Sequence, residues 1–386
     1  MSVQPLMASR TSSGRIIGFG DPVLDLVSSV SFEALDSLDM QAGGCTAIPR
    51  SELERLLSLP EINNGDLLTV PGGSACNVCK CLAGLRANRP KGLDDEILFI
   101  GMIGMDSAGA DFHSMLEASG VKPLLPQCDT EDTSTASCLC LVSPDGQRTM
   151  RTYLGAAQKL TSAEQLPIGT SDLENVGLVH FEGYSLYKID VAEATMRSAR
   201  EAGSKISLDL ASFEIVNNCW EALTEKILKE KLVDILFCNE DEARAACEAG
   251  KLLEDVANSS ADDVVESALR YLLQSVEVVV ISRGADGCLV GTADGQRATA
   301  AAENVTVIDT IGAGDYFSAG FLHAWVSGAP LVACAACGCA AGGAAVQAAG
   351  AELGAVEMEA LRNKIQSILD SSSSVDERNQ SYMQLK

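Results

Sequence analysis

The sequence predicts an α/β fold in which helices flank a doubly wound, mostly parallel β-sheet that carries a small β-rich lid. Two observations predict it. Short apolar runs with strand character alternate with helical stretches, at 178–181, 206–210, 235–238 and 276–281, and this order implies right-handed β-α-β crossovers. The stretches at about 28–69 and 121–155 break the alternation, so we expect them to form the lid.

The N-terminal third predicts the first strands and helices of the sheet domain. Residues 1–14 are expected to form a flexible N-terminus, and the apolar run 16–20 is expected to be a buried strand. Pro71-Gly72-Gly73-Ser74 predicts a turn that leads into a helix rich in Ala and Cys. A buried strand over 97–103 and a helix over 110–119 follow it.

The rest of the chain predicts a hairpin and a helical C-terminal part. Strand-like runs within 135–153 flank Ser143-Pro144-Asp145-Gly146, which is a strong turn signal. Two further helices are expected to close the chain after Asp315, and residues 371–386 are expected to form a flexible polar tail.

Charge and cysteine content limit the partners. The chain has 28 basic and 53 acidic residues, a net charge of −25, and such a surface repels nucleic acid and anionic membranes. Its 14 cysteines lie mostly in apolar runs such as Cys138-Leu139-Cys140. Since no secretory signal precedes them, they predict buried thiols in a reducing, cytoplasmic compartment. No apolar run approaches the ~20 residues that span a bilayer.

The segment Asp309-Thr310-Ile311-Gly312-Ala313-Gly314-Asp315 carries the strongest chemical signal. Its glycines let backbone N–H groups converge on one point, and the helix that follows adds about half a positive charge there. Such an amide cradle stabilises the charge of a phosphoryl group in transfer, and the Asp315 carboxylate can accept the proton of an attacking hydroxyl. Taken alone, the segment could also be an ordinary Gly-rich turn with an N-cap Asp.

A second segment, Asn239-Glu240-Asp241-Glu242, follows a predicted strand, where ligands bind in open parallel sheets. Asn239 and Glu242 are one helical turn apart, which suits Mg²⁺ held through water. An N-capped acidic helix start explains the same residues.

Three weaker signals lie at other turns. In Pro71-Gly72-Gly73-Ser74-Ala75-Cys76-Asn77, the glycines allow close backbone approach to a ligand, and the Asn77 amide suits a vicinal diol. Asp21 and Asp25 add acceptors for hydroxyl groups. Arg283-Gly284-Ala285-Asp286-Gly287 indicates by itself only a turn.

In this order, and over nearly the whole chain, P-G-G-S-x-x-N, N-E-D-E, R-G-A-D-G and D-T-I-G-A-G-D resemble the PfkB or ribokinase-like family of carbohydrate and nucleoside kinases. The resemblance implies one ribokinase-like kinase domain over 15–370 that transfers the γ-phosphate of ATP to a primary hydroxyl group of a sugar or ribonucleoside. ATP and Mg²⁺ are implied, a monovalent cation is left open, and the protein would be a monomer or a homodimer.

The resemblance also implies a role for each motif residue. Asp315 would be the catalytic base, the amides of Gly312, Ala313 and Gly314 the anion hole, and Glu242 the residue that organises Mg²⁺ through water. Acceptor contacts are implied for Asp21, Asp25, Gly72, Gly73 and Asn77. ATP contacts are implied for Asn239, Arg283, Gly284, Gly287, Asp309 and Thr310.

Within this family the sequence is most similar to adenosine-kinase-like members. The similarity lies in Gly20-x-Pro22-x-x-Asp25, in 145–150 (D-G-Q-R-T-M), in 153–157 (Y-L-G-A-A) and in 181–184 (F-E-G-Y). Arg148 matches a lid arginine that can swing onto the transferred phosphate. Asp21 departs from the Asn usual in that subgroup, and a second carboxylate beside Asp25 would favour a polyol or cationic acceptor.

Other functions stay open from the sequence. A free-sugar kinase such as a ribokinase or fructokinase is the nearest alternative, and a kinase of phosphorylated sugars would need more Lys and Arg near the acceptor motifs. A catalytically silent regulatory or scaffold protein of the same fold would be expected to lose the base or the glycines, and Gly312, Gly314 and Asp315 are all present. A dinucleotide-dependent oxidoreductase lacks its G-x-G-x-x-G after the first strand.

Overall fold

The computed structural model describes residues 14–38, 40, 44–63, 67–88, 95–130, 133–144, 147–348, 350 and 352–384. The predicted N-terminal segment up to residue 13 and the turn residues Asp145 and Gly146 lie outside this description.

Sixteen strands lie in the described ranges. In chain order they are β1 (Ile16–Phe19), β2 (Val23–Ser29), β3 (Cys45–Ala47), β4 (Leu68–Gly72), β5 (Ile97–Ile100), β6 (Ile103–Gly104), β7 (Lys122–Leu124), β8 (Gln127–Cys128), β9 (Ala136–Val142), β10 (Arg148–Tyr153), β11 (Leu178–Glu182), β12 (Lys205–Asp209), β13 (Ile235–Asn239), β14 (Val278–Ser282), β15 (Cys288–Thr292) and β16 (Arg297–Ala300).

Twelve α-helices lie in the same ranges. They are α1 (Phe32–Ser37), α2 (Arg50–Leu57), α3 (Ser74–Arg86), α4 (Ser107–Ala118), α5 (Thr170–Leu173), α6 (Ile189–Glu201), α7 (Phe213–Ala222), α8 (Glu240–Ala249), α9 (Ala261–Leu272), α10 (Ala313–Val326), α11 (Leu331–Ala345) and α12 (Ala355–Gln384). None of the helices in this part of the chain is long and apolar enough to cross a membrane.

The large sheet has nine strands in the order β16-β15-β14-β13-β12-β11-β1-β5-β7. All neighbours from β14 to the β7 edge of this sheet pair in parallel. At the other edge, β15 pairs antiparallel with both β14 and β16. Successive side chains of a strand point to opposite faces, so Ile16 enters a core with α3, α10 and α11, whereas Ile17 enters a core with α6 to α9. The predicted doubly wound, mostly parallel sheet is therefore confirmed; the antiparallel edge of β15 and β16 was not predicted.

A second sheet of five strands, β3-β10-β9-β2-β4, stands beside the large one, and we call it the lid sheet. The predicted hairpin is confirmed as β9 and β10, which pair antiparallel from Arg148 opposite Val142 to Tyr153 opposite Ser137. One face of the lid sheet packs Leu139 and Leu141 on α1 and α2, and the other carries Cys138 and Cys140. Strand β2 begins at residue 23, before the predicted lid segment.

Three further differences from the predicted elements appear. The strand expected over 97–103 is split into β5 and β6, which join different sheets. Three helices, rather than two, occupy the chain from residue 313 onward. The last of them, α12, continues to Gln384 through the segment expected to be a polar tail; whether that segment is flexible stays a prediction.

Helices α10 and α11 approach closely because α10 has a glycine at the contact. A Cβ atom built on Gly320 would lie 2.4 Å from the Cys337 carbonyl oxygen and 2.7 Å from the Ala341 Cβ. Backbone atoms cannot move as easily as the end of a side chain. The position of α10, and with it the Gly312–Asp315 segment at its start, therefore depends on the missing side chain at Gly320.

We expect Gly320→Ala to lower the free energy of unfolding by about 1–3 kcal/mol, the usual cost of overpacking. Gly343→Ala in α11 is the matched control, since nothing lies within 4 Å of a Cβ at that position. The control should be neutral or up to about 1 kcal/mol more stable, because Ala is the better helix former. Urea unfolding of both variants measures the difference, and equal effects would contradict this account of the packing.

Candidate active site

A cavity of about 960 Å³ opens between the lid sheet and the carboxyl ends of β1, β12 and β13. Its lining includes nine of the residues singled out in the sequence, which are Asp21, Asp25, Gly73, Asn77, Asn239, Glu242, Gly312, Gly314 and Asp315. Eight others do not line it, namely Gly72, Ala313, Arg148, Arg283, Gly284, Gly287, Asp309 and Thr310. The structure thus brings the acceptor motifs and the start of α10 together.

Asp315 lies in the first turn of α10 and faces the start of α3. Its Oδ1 accepts a hydrogen bond from the Ser74 hydroxyl at 2.7 Å, and its Oδ2 accepts one from the Asn77 amide at 2.8 Å. Desolvation by burial raises the pKa of the Asp315 carboxyl to about 7, although the two hydrogen bonds lower it. The result is a fixed carboxylate whose proton affinity suits proton transfer near neutral pH.

The loop before Asp315 leaves amide groups at the cavity. Gly312 has the left-handed φ of 73° that favours glycine, and the first backbone bond of the helix runs from the Tyr316 N–H to the Gly312 carbonyl at 2.8 Å. The first amides of a helix have no intrahelical acceptor. The Ala313 N–H donates to the Thr310 carbonyl at 3.3 Å. Gly312 and Gly314 line the cavity, and a Cβ on Gly314 would meet nothing within 4 Å, so the space beside Gly314 is open to an anion.

The two glycines at 72 and 73 make room for the acidic residues after β1. A Cβ on Gly72 would lie 2.2 Å from the Asp25 Oδ2, and one on Gly73, which has a φ of 97°, would lie 2.3 Å from the Asp21 carbonyl oxygen. Desolvation raises the pKa of Asp25 to about 6, although the charges of Lys80 and Arg148 lower it. The Asp25 carboxylate therefore lies against the backbone of Gly72 and lines the cavity.

Asp21 is paired with a cation in the structure, and its predicted contact with the acceptor stays a prediction. The Lys188 ammonium group donates a hydrogen bond to the Asp21 Oδ1 and forms an ion pair with it. Both side chains are mostly shielded from solvent, and both line the cavity. The ion pair carries no net charge, so the Asp21 carboxylate gives no reason to expect a cationic acceptor.

Glu182 is a site residue that the sequence singled out only as part of F-E-G-Y. Its carboxylate accepts the backbone N–H groups of Asp21 and Ala75, each at 2.8 Å, and so joins the end of β1 to the start of α3. A Cβ on Gly20 would lie 2.4 Å from the Glu182 Oε2. Burial, with the nearby Asp21 charge, raises the pKa of Glu182. A Glu at the end of a buried strand is the signal that could have identified it.

Glu242 and Asn239 form a reciprocal cap at the start of α8. The Glu242 Oε2 and Oε1 accept the Asn239 backbone and side-chain N–H groups at 2.8 and 2.9 Å, and the Asn239 Oδ1 accepts the Glu242 N–H at 2.9 Å. Burial of Glu242 raises the pKa of its carboxyl, and the charge of the nearby buried Asp209 carboxylate raises it further. Asp209, which the sequence analysis missed, accepts the Ser318 hydroxyl at 2.9 Å.

Arg148 and Asp309 form a buried ion pair beside the loop that begins α10. The Arg148 guanidinium donates to the Asp309 Oδ2, with each side chain only 4% exposed. The Asp309 carboxylate also accepts the backbone N–H groups of Ile311 at 3.1 Å and Gly350 at 2.8 Å. Asp309 therefore supports the loop in this structure, and the roles of Asp309 in ATP binding and of Arg148 at the transferred phosphate stay predictions.

The remaining residues predicted to contact ATP lie at surface turns. The Arg283 guanidinium pairs with Glu240 at 2.7 Å and with Asp262 at 2.8 Å, so it is engaged at the surface. Gly287 has a φ of 86°, and a Cβ there would lie 1.9 Å from the Ala300 carbonyl oxygen, which makes the residue a requirement of the β14–β15 turn. Gly284 has open space around it, and Thr310 is exposed. Their roles in ATP binding stay predictions.

Comparisons with known proteins agree with this geometry. The family model described as pfkB family carbohydrate kinase matches residues 51–357. The chain is 29% identical over 275 residues to an aminoimidazole riboside kinase from Salmonella typhimurium, which covers 68% of this chain and 76% of the relative. It is 24% identical over 332 residues to an adenosine kinase from Dictyostelium discoideum, covering 85% and 93%. The crystal structure of adenosine kinase from Sinorhizobium meliloti superposes with a TM-score of 0.77 at 24% identity, covering 92% of this chain and all of that one, and shows the same fold.

The Arg148–Asp309 pair gives a stability prediction. Removing one partner of a buried ion pair leaves an uncompensated charge and typically costs about 3–5 kcal/mol, whereas an exposed pair contributes about 1 kcal/mol or less. We therefore expect Arg148→Leu to be strongly destabilising and the double variant Arg148→Leu/Asp309→Asn to recover part of the loss.

Arg197→Leu is the matched control, since Arg197 pairs with Glu193 and Glu230 at an exposed position. Urea unfolding of the four proteins provides the measurement. If Arg148→Leu were no worse than Arg197→Leu, the pair would not hold the loop as described.

Proposed function

The chain belongs to the pfkB family of carbohydrate kinases, and we propose that its acceptor is a ribonucleoside and that Asp315 is its catalytic base. Membership of the family makes the protein an ATP-dependent phosphotransferase that acts on a hydroxyl group of a sugar or nucleoside. The observation that supports the base is the Asp315 carboxylate, held by Ser74 and Asn77 at the start of α10. It lies in the same cavity as Asp25 and Gly73.

In the proposed reaction, Asp315 accepts the proton of the acceptor hydroxyl while the hydroxyl oxygen attacks the γ-phosphorus of ATP. The bond between the γ-phosphorus and the β,γ-bridging oxygen breaks, and ADP leaves. The hydrogen bonds from Ser74 and Asn77 fix the carboxylate in one orientation, so little reorganisation is needed at the moment of transfer. The amides from Gly312 to Gly314 and the positive end of α10 face the charge that develops on the phosphoryl oxygens.

The residues beside Asn239 fit a magnesium ion. Asp209 and Glu242 bring two buried carboxylates to the carboxyl ends of neighbouring strands, and oxygen ligands are those that Mg²⁺ prefers. Both Glu242 carboxylate oxygens already accept hydrogen bonds from Asn239, so Glu242 would act through ordered water. Mg²⁺ bound there would neutralise phosphate charge during transfer.

The shape and polarity of the cavity support a nucleoside acceptor. Asp25 and Asn77 offer an acceptor and a donor that suit a vicinal diol. Beside them lies an apolar surface on which a flat base could pack, formed by Val23, Ala47, Cys138, Met150, Leu154 and Tyr184. A free pentose or hexose has no group that would need this surface. The names of two of the relatives, aminoimidazole riboside kinase and adenosine kinase, agree with a riboside.

Phosphorylated sugars are poorer candidates. Three cations lie near the acceptor motifs, and each of them is paired: Lys188 with Asp21, Arg148 with Asp309 and Lys80 with Glu352. A sugar phosphate would have to break one of these pairs to gain a partner for its own charge. Free-sugar kinase activity remains the second candidate, because Asp25, Gly73 and Asn77 suit any vicinal diol.

Turnover measured with a panel of acceptors tests the proposal. The purified chain with ATP and Mg²⁺ is offered adenosine, inosine, guanosine, cytidine, uridine, ribose, fructose and fructose 6-phosphate. We expect a nucleoside to give the highest kcat/KM. Asp315→Asn should lower kcat by about 10²–10⁴-fold, the usual contribution of general-base catalysis, with the fold intact by circular dichroism.

Asp111→Asn, at an exposed position of α4, controls for the loss of one charge. Turnover of free sugars alone would move the acceptor assignment to a sugar. Full activity of Asp315→Asn would remove the assignment of the base, and no turnover with any acceptor would favour a silent scaffold.

The pH dependence gives an independent test of Asp315. The base acts in its ionised form, so kcat/KM should fall as the pH drops below about 7, the raised pKa of this carboxyl. The Ser74 hydrogen bond lowers that pKa; Ser74→Ala should therefore raise it and move the acidic limb of the profile to higher pH, by about one unit or less.

Ser114→Ala, on the exposed side of α4, should leave the profile unchanged. An acidic limb that moves to lower pH in Ser74→Ala, or does not move, would contradict the proposed state of Asp315.

A further inference from the structure

We propose that Asp25, Cys138 and Cys140 form a binding site for a thiophilic divalent cation of the Zn²⁺ type, and that its occupation blocks the acceptor. The second part rests on the proposed function, in which Asp25 holds the acceptor hydroxyls. Within the described ranges, this trio is the single group of three Cys, His or acidic side chains whose ligand atoms all lie within 4.8 Å of one another.

The strand geometry of the lid sheet places the three side chains together. Cys138 and Cys140 are two residues apart on β9, so their side chains leave the same face. Asp25 on β2 stands directly opposite Cys138. The two Sγ atoms are 3.6 Å apart, and a tetrahedral site with Zn–S bonds of about 2.3 Å would separate them by about 3.8 Å. Little movement would be needed to bind the ion.

The hydrogen bonds around Cys138 hold its sulfur in place, although the Cys140 hydrogen bond and burial raise the pKa of its thiol, so the thiolate forms only when an ion binds. Its Sγ accepts one hydrogen bond from the Thr152 hydroxyl at 3.1 Å and another from the Cys140 thiol at 3.6 Å. On binding, each cysteine would release its thiol proton to solvent and give a sulfur lone pair to the ion. Thr152 would remain as a donor to the Cys138 sulfur, the kind of outer contact that orients metal ligands.

Ligand type and access both favour a soft ion from solution. Thiolates select Zn²⁺ and related ions over Mg²⁺ or Ca²⁺, which take oxygen ligands, so the site is chemically distinct from Asp209 and Glu242. Cys138 and Cys140 are both buried, and Asp25 and Cys138 line the cavity. An ion would therefore enter by the same opening as the acceptor and leave its fourth position toward the cavity.

Competition with the acceptor follows from the shared carboxylate. When Asp25 coordinates an ion, its oxygens are no longer available to a vicinal diol. Zn²⁺ should then inhibit turnover competitively with respect to the acceptor and not with respect to ATP. A chelator should restore activity, because no covalent bond of the protein has changed.

Co²⁺ binding to the full, reduced chain tests the site without reference to activity. We expect thiolate-to-cobalt charge-transfer absorption that saturates at one Co²⁺ per chain and is abolished by Zn²⁺. Cys140→Ser and Cys140→Ala should lose this absorption, with circular dichroism showing that they fold.

Two thiols serve as controls. Cys45 is the exposed one on the lid sheet, and Cys219 is buried on α7; Cys45→Ser and Cys219→Ser should both keep the cobalt spectrum. Absence of a thiolate band in the wild type, or its persistence in both Cys140 variants, would overturn the site.

Inhibition supplies the second readout. Cys140 does not line the cavity, so Cys140→Ser should keep basal turnover while requiring at least about tenfold more Zn²⁺ for half inhibition. Equal inhibition of both proteins, or inhibition competitive with ATP, would overturn the blocking role. If no acceptor were turned over, the proposed function would be contradicted, and the cobalt spectrum would still test the metal site. If an acceptor were turned over but no cobalt spectrum appeared, only the metal site would be contradicted.

Discussion

The buried ion pair between Arg148 and Asp309 connects the lid sheet to the loop that begins α10. Burying two charges is costly unless each is paired and hydrogen-bonded, and the Asp309 carboxylate meets this condition with Arg148 and the amides of Ile311 and Gly350. One carboxylate thereby joins β10, the glycine loop and the chain that follows α11. The direction in which the first amides of α10 point depends on this junction.

The two sides of the cavity, which meet at that junction, contribute different chemical groups. The large sheet and its helices present Asp315, the α10 amides and the Asp209–Glu242 pair, all of which handle charge. The lid sheet presents Asp25 and an apolar surface that suit a neutral acceptor. Gly72 makes room for Asp25 within the lid sheet, and Gly73 lets the start of α3 approach the backbone of Asp21, because side chains at these positions would collide with them. These small residues are therefore part of the site.

Regular elements and local motifs could be predicted, because both are written in neighbouring residues. The strands at 178–181 and 235–238 follow from apolar runs, and the hairpin of β9 and β10 follows from its turn residues. The β15–β16 hairpin was missed although Asp294-Gly295 signals its turn. Ion pairs between distant residues could not be predicted from the sequence, because Lys188 is 167 residues from Asp21 and Arg148 is 161 residues from Asp309. Only the folded sheets bring such partners together.

The central claim is that Asp315 takes the proton from a riboside hydroxyl that attacks ATP at the start of α10. A crystal structure with the preferred nucleoside and a non-hydrolysable ATP analogue measures this most directly. The account predicts an acceptor hydroxyl about 2.6–3.2 Å from the Asp315 carboxylate, in line with a γ-phosphate that contacts the amides of Gly312 to Gly314. A hydroxyl directed away from Asp315, or a γ-phosphate bound away from α10, would contradict it.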